Sequence, residues 1–174
     1  MCIHLGRIRV GLIYYAAYGS NLHPVRLAAR VPSAELIGTC FLPGWSLRFN
    51  KISNVDGSAK CSIERGSEGT WHAIYRMAAE EKSLLDACEG LGNGYDELAL
   101  DIPEFGHCFT YIASMSHTRH GLEPFDWYKA MVLRGCETNR FPANYVANVQ
   151  AVNAVPDPDL ARNRAQWDIV AQLR

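Results

Sequence analysis

The chain has 174 residues, 48% of them hydrophobic and 20% charged, and its 17 basic residues nearly balance 18 acidic ones for a formal charge of −1. That length and composition suit one globular domain, residues 1–174, with an ordinary core, and the scattered basic residues form no stripe of the kind a nucleic-acid binder carries. No apolar run approaches the roughly 20 residues needed to cross a bilayer as a helix, and residues 1–11 lack the apolar centre and cleavage site of a signal peptide, so a cytoplasmic protein without membrane partners is expected.

Residues 10–17, rich in β-branched and aromatic side chains, are predicted to form a buried strand, which Gly19-Ser20-Asn21 ends with turn chemistry. A helix over 24–30 follows, with Pro24 in its first turn, an apolar side made by Val25, Leu27, Ala28 and Val31, and a stop at Pro32. In a strand–turn–helix unit the amides of Gly19, Ser20 and Asn21 can converge on a carboxylate or a developing oxyanion. The plainer alternative is a turn in which Gly19 supplies a positive φ and Ser20 or Asn21 caps the helix.

Strands are then expected over 35–41, 46–50, 60–64 and 70–77, and a short amphipathic helix over 78–88 that turns Leu84, Leu85 and Cys88 to one face and Lys82, Ser83 and Asp86 to the other. Gly90 should stop it, and the run Glu89-Gly90-Leu91-Gly92-Asn93-Gly94 leads into a strand from about Tyr95 to Ile102. Glycines that follow a helix and precede a strand are in the wrong order for a dinucleotide fingerprint. Glu89 stands at a helix C-terminus, where the macrodipole disfavours its charge; it is either a solvated surface carboxylate or, if walls such as Tyr95 or Trp71 enclose it, a group placed for proton transfer. A last strand over 109–113 and helices over 125–134, 144–152 and 160–173 complete the pattern of α+β with a small, mostly antiparallel barrel flanked by helices.

The six cysteines, at 2, 40, 61, 88, 108 and 136, contain no CxxC pair and are expected as free, mostly buried thiols. Cys88 adjoins Glu89 without a nearby His in sequence to activate it. His117 and His120 share the spacing of a metal pair on a helix, but 114–124 has loop composition and no metal site is assigned.

Taken together, Tyr18-Gly19-Ser20-Asn21-Leu22, the helix ending in Leu85-Asp86-Ala87-Cys88-Glu89-Gly90, and Tyr95 after a glycine-rich turn resemble the γ-glutamyl cyclotransferase family, whose wider group includes γ-glutamylamine cyclotransferases and AIG2-like proteins. Leu42-Pro43-Gly44-Trp45, Trp71-His72-Ala73-Ile74-Tyr75, Trp127-Tyr128 and Phe141-Pro142-Ala143-Asn144-Tyr145 are similar to other stretches of it, so the resemblance runs from about residue 12 to about 152. It leaves 1–11 as an N-terminal extension and 158–174 as a C-terminal helix without a counterpart. The resemblance implies Glu89 as general acid/base and Tyr18, Gly19, Ser20, Asn21 and Leu22 as the loop that holds a γ-glutamyl group. It implies Tyr95, Tyr111 and Tyr128 near the pocket, and Tyr145 least directly; for these tyrosines the plainer alternative is core packing with a satisfied hydroxyl.

The implied activity is an intramolecular one of transferase or lyase type: the substrate's own α-amine closes on the γ-carbonyl to give 5-oxoproline and release an amino acid or amine. Ring closure of this kind reaches effective molarities on the order of 10⁵ M or more, so neither a Ser or Cys nucleophile nor a cofactor is called for. What remains is proton transfer and oxyanion stabilisation. The expected partner is a small γ-glutamyl molecule, with monomer and homodimer both left open. The alternatives are a non-catalytic small-molecule-binding protein of the same fold and a cyclotransferase for γ-glutamylamines.

Overall fold

β1 (Leu12–Ala17) is the strand around which the sheet is built, because its inner half, Tyr15, Ala16 and Ala17, is buried and both of its edges are paired. The computed structural model describes residues 11–173, so the predicted extension at 1–11 lies almost wholly outside the described residues. On one edge β1 runs antiparallel to β5 (Thr70–Ala78), with Tyr15 opposite Tyr75; on the other it runs parallel to β7 (Gly106–Ala113), with Tyr15 opposite Phe109. With β2 (Glu35–Leu42) and β6 (Tyr95–Ile102) outside them, the five-stranded order is β2-β5-β1-β7-β6.

β3 (Trp45–Ile52) and β4 (Ala59–Arg65) form a separate antiparallel hairpin. Where the pattern of strands and helices predicts a small barrel, the described strands form two sheets without a continuous closing ladder. The hairpin meets the larger sheet through scattered contacts, among them an isolated bridge between Ser46 and Gly69 just before β5, the Thr70 hydroxyl donating to the Trp45 carbonyl at 3.0 Å and the Ala113 amide donating to Ser62 Oγ at 2.9 Å, and no continuous ladder joins the two. The α+β class and the mostly antiparallel pairing stand as expected.

The helices are α1 (Pro24–Ala28), α2 (Lys82–Glu89), α3 (Asp126–Thr138), α4 (Ala143–Gln150) and α5 (Leu160–Gln172). α3 buries Trp127, Tyr128, Met131, Val132 and Cys136, and its Gly135 lets the 3-10 turn Ser20–Leu22 press against it: a Cβ at Gly135 would stand 2.3 Å from Leu22 Cβ. Leu22 is fully buried there, a contact that stabilises by about 2 kcal/mol and fixes the loop that precedes it. α5 packs on α3, with Val170 and the following Leu173 buried, and Asp157 ties its start down by accepting from Trp127 Nε1 at 3.0 Å and Arg162 Nη2 at 2.6 Å.

α2 departs from its predicted pattern. Only Leu85 is buried; Leu84 is 46% exposed and Cys88 is exposed, because an eight-residue helix at the rim of the sheet inserts one side chain per two turns rather than a full stripe. Among the described residues no helix is long and apolar enough to cross a membrane.

Candidate active site

Glu89 is the last residue of α2, and Gly90 follows it in the left-handed conformation at φ 71°, so the chain turns away at the point where sequence expected a stop. The side chain folds inward and is 16% exposed. Its Oε1 accepts from Arg30 Nη1 at 2.7 Å and from Asn21 Nδ2 at 2.9 Å. Arg30 Nη1 also donates to Asn21 Oδ1 at 2.9 Å, and Asn21 Nδ2 reaches Tyr15 Oη at 3.2 Å. Two side chains, Arg30 and Asn21, therefore hold one carboxylate oxygen, and the guanidinium offsets the unfavourable helix end. Oε2 takes no hydrogen bond among the described residues.

Glu89 faces an inner space walled by Tyr15, Tyr18, Tyr95, Tyr111 and Tyr128, with Gly19, Ser20, Asn21 and Cys61 closing it. Burial pushes all five tyrosine hydroxyls well above their usual pKa, so they stay protonated near neutral pH. Most are already committed: Tyr18 donates to the Tyr111 carbonyl, Tyr111 to Asp86 Oδ1, and Tyr95 to the Cys61 carbonyl at 2.6 Å. Tyr128 Oη accepts from the Cys61 amide at 2.9 Å. The rings are walls, and the amides of Gly19, Ser20 and Asn21, which have no acceptor among the described residues, are the open donors.

The inner space is small, about 20 Å³, room for roughly one water. It opens at Ser20, Glu89, Tyr95 and Tyr128 into an outer cleft of about 420 Å³, to which α1, β3 and α5 contribute.

No family model matches the chain. Among curated proteins it is similar to the Gamma-glutamylcyclotransferase of Bos taurus, 26% identical over 145 residues that cover 79% of this chain and 77% of that one. The Homo sapiens protein of the same name is 25% identical over 145 residues, with the same coverage. Among solved structures, one titled Gamma-glutamyl cyclotransferase superposes with a TM-score of 0.78 at 22% identity, covering 93% of this chain and 99% of that one. The chain is similar in sequence to these γ-glutamylcyclotransferases and shares the fold of the solved one. An uncharacterized Homo sapiens protein shares the fold at a TM-score of 0.75 and 22% identity, covering 92% of this chain and 98% of that one.

Of the residues that the resemblance to the γ-glutamyl cyclotransferases implied, Glu89, Tyr18, Gly19, Ser20, Asn21, Tyr95, Tyr111 and Tyr128 all line the inner space. Leu22 does not: its side chain is in the core, and its carbonyl accepts from Tyr75 Oη at 2.9 Å and Asn139 Nδ2 at 2.7 Å, so it anchors the loop from behind. Trp71 is elsewhere, packed on Phe41 and Phe141, and Tyr145 lines a different cavity beside α4. Nor is Gly19 a positive-φ residue; its φ is −115°, and what it needs is space, since a Cβ there would stand 3.0 Å from Cys61 Cβ. α1 is capped by neither Ser20 nor Asn21 but by His23, whose Nδ1 accepts from the Val25 amide at 3.2 Å.

His117 spends its ring nitrogens on Ser114, Ser116 and Asn54. Sequence reasoning did not find Tyr15, Arg30 or Cys61. Tyr15 was legible in principle: strand alternation places it on the same face as Ala17, two residues before the loop.

Proposed function

We propose that this protein is a γ-glutamyl cyclotransferase enzyme that converts a γ-glutamyl amide into 5-oxoproline and a free amino acid or amine. The observation that carries the reading is the state of Glu89: enclosed, with Oε1 fixed by Arg30 and Asn21 and Oε2 without a partner among the described residues, beside the loop amides of Gly19 to Asn21. The substrate's α-ammonium gives a proton to Oε2. The freed nitrogen attacks the γ-carbonyl carbon, the C–N bond of the ring forms, and the carbonyl oxygen becomes an oxyanion for which the loop amides are the donors.

Collapse breaks the bond to the leaving nitrogen. Between ammonium and lactam the attacking nitrogen loses two protons, and between amide and free ammonium the leaving nitrogen gains two, so Glu89 acts in turn as base and acid and no further reactant is consumed. A γ-glutamyl group exceeds the 20 Å³ of the inner space, so its reacting carbonyl sits at Glu89 while the rest of the substrate extends into the outer cleft. The tyrosine rings exclude water from the carbonyl, which keeps ring closure ahead of hydrolysis. The free thiols among the described cysteines fit a reducing compartment, and a cytoplasmic location is part of this proposal.

Incubation with γ-glutamyl-alanine tests the reading: 5-oxoproline and alanine should appear in equal amounts. Glutamate and alanine instead, or no reaction with any γ-glutamyl amino acid or amine, overturns it.

A further inference from the structure

The outer cleft carries more positive charge than its own acids neutralise. Its wall holds Arg26, Arg30, Lys51, Lys60 and Arg162. Three of these have a carboxylate: Arg30 has Glu89 at 2.7 Å, Lys60 has Asp56 at 2.9 Å, and Arg162 has Asp157 at 2.6 Å. Arg26 and Lys51 have none among the described residues.

Neither is an ordinary solvated surface charge. Lys51 is only 5% exposed, and Arg26 Nε is buried without an acceptor. Desolvation lowers the pKa of Lys51 and pushes that of Arg26 down to about 10, and a buried cation without a counter-charge is costly. Yet the backbone is arranged to hold Lys51 there. A bulge in β3 shifts the register between Phe49 and Lys51, so that Asn50 and Lys51 are both buried where strict alternation would turn one outward. Gly94 leaves the room the ammonium occupies, since a Cβ at that position would stand 3.0 Å from Lys51 Nζ, and the ammonium lies 4.7 Å over the Tyr95 ring at the junction of cleft and inner space.

A charge count on the substrate follows. In a γ-glutamyl amide the α-ammonium and α-carboxylate cancel, and Glu89 is already balanced by Arg30. A neutral leaving amine would leave both free cations uncompensated, and an amino acid with one carboxylate would leave one. We propose that the outer cleft selects substrates whose leaving amine carries two carboxylates, an acidic amino acid being the simplest, with Arg26 and Lys51 as the two cations that meet them. This rests on the cyclotransferase reading and deepens it by naming the substrate class.

The test compares kcat/KM for γ-glutamyl-glutamate, γ-glutamyl-alanine and γ-glutamyl-ethylamide, with native protein and with Arg26→Gln and Lys51→Met. Native protein should prefer the first over the second, and the second over the third, by about tenfold each, the worth of a partly buried charge-assisted contact. Each variant should bring the glutamate-to-alanine ratio down toward one, with the variants' melting temperatures confirming that they fold. Equal use of γ-glutamyl-glutamate and γ-glutamyl-alanine, or a uniform loss on all three substrates in the variants, overturns the inference while leaving the cyclotransferase reading intact. If no member releases 5-oxoproline, that reading fails, and calorimetric binding of the same panel still decides the cleft: tighter binding of γ-glutamyl-glutamate, weakened in both variants, supports the inference, and equal binding overturns it.

Discussion

Arg30 Nη1 lies 2.7 Å from Glu89 Oε1 and 2.9 Å from Asn21 Oδ1, so one guanidinium nitrogen fixes both the carboxylate and the amide that orients it. The consequence is rotational: with Oε1 pinned, Oε2 is the oxygen left to exchange protons. Arg30→Met should release the carboxylate from its fixed rotamer. We expect kcat to fall about 10- to 100-fold with a smaller change in KM, because misorientation acts on the chemical step. Asn21→Ala should resemble it, and steady-state kinetics on either variant checks the claim.

Gly19 and Cys61 test the enclosure. A methyl at residue 19 would stand 3.0 Å from Cys61 Cβ and 3.5 Å from Tyr128 Oη, inside a space of about 20 Å³. Gly19→Ala should therefore abolish most 5-oxoproline release while costing stability only about 1 to 3 kcal/mol, the range for overpacking. Turnover and thermal melting, measured on the same sample, separate the two effects.

Much of this arrangement was legible in sequence, and what was not has a common cause. The β1 run, the loop after it and the stop at Gly90 are local features, decided by residues within a turn of each other, and each appears where it was expected. The pairing of Glu89 with Arg30 spans 59 residues, and no local pattern announces it. The same limit applies to the barrel: strand positions follow from alternation, but whether the β3–β4 hairpin closes a ladder with the larger sheet depends on edge geometry, and no continuous ladder joins the two. The α2 stripe was overread because period alone does not say how deep a short helix sits.

Acid should destabilise the fold through His72. It is fully buried with Nε2 unpartnered, and desolvation lowers its pKa to about 4 from an ordinary 6.5. The unfolded chain then binds the proton first, so stability is intact above pH 6.5 and falls as pH drops from about 6.5 to 4, by at most about 3 kcal/mol. His23, also buried and lowered by desolvation, acts in the same direction. Melting temperature against pH should slope down through this window, and His72→Phe should flatten the slope.

Asp157 should matter to the cleft from a distance. Its carboxylate, buried and held down to about pKa 2 chiefly by the Arg162 hydrogen bond, ties Trp127 of α3 to the first turn of α5, which brings Arg162 and Gln166 to the cleft wall. Asp157→Asn leaves Arg162 only the more distant Asp159 carboxylate at 3.8 Å and should lower the melting temperature, with the α5 amides gaining hydrogen exchange ahead of the sheet.

The most direct test of the central claim is the rate of 5-oxoproline release by Glu89→Gln beside native protein, on the best γ-glutamyl substrate found. Glutamine preserves size and can still meet Asn21, but it cannot take the proton. The account predicts a loss of about 10² to 10⁴-fold in kcat in a protein that melts within a few degrees of native. A folded Glu89→Gln protein that cyclises at the native rate would contradict it.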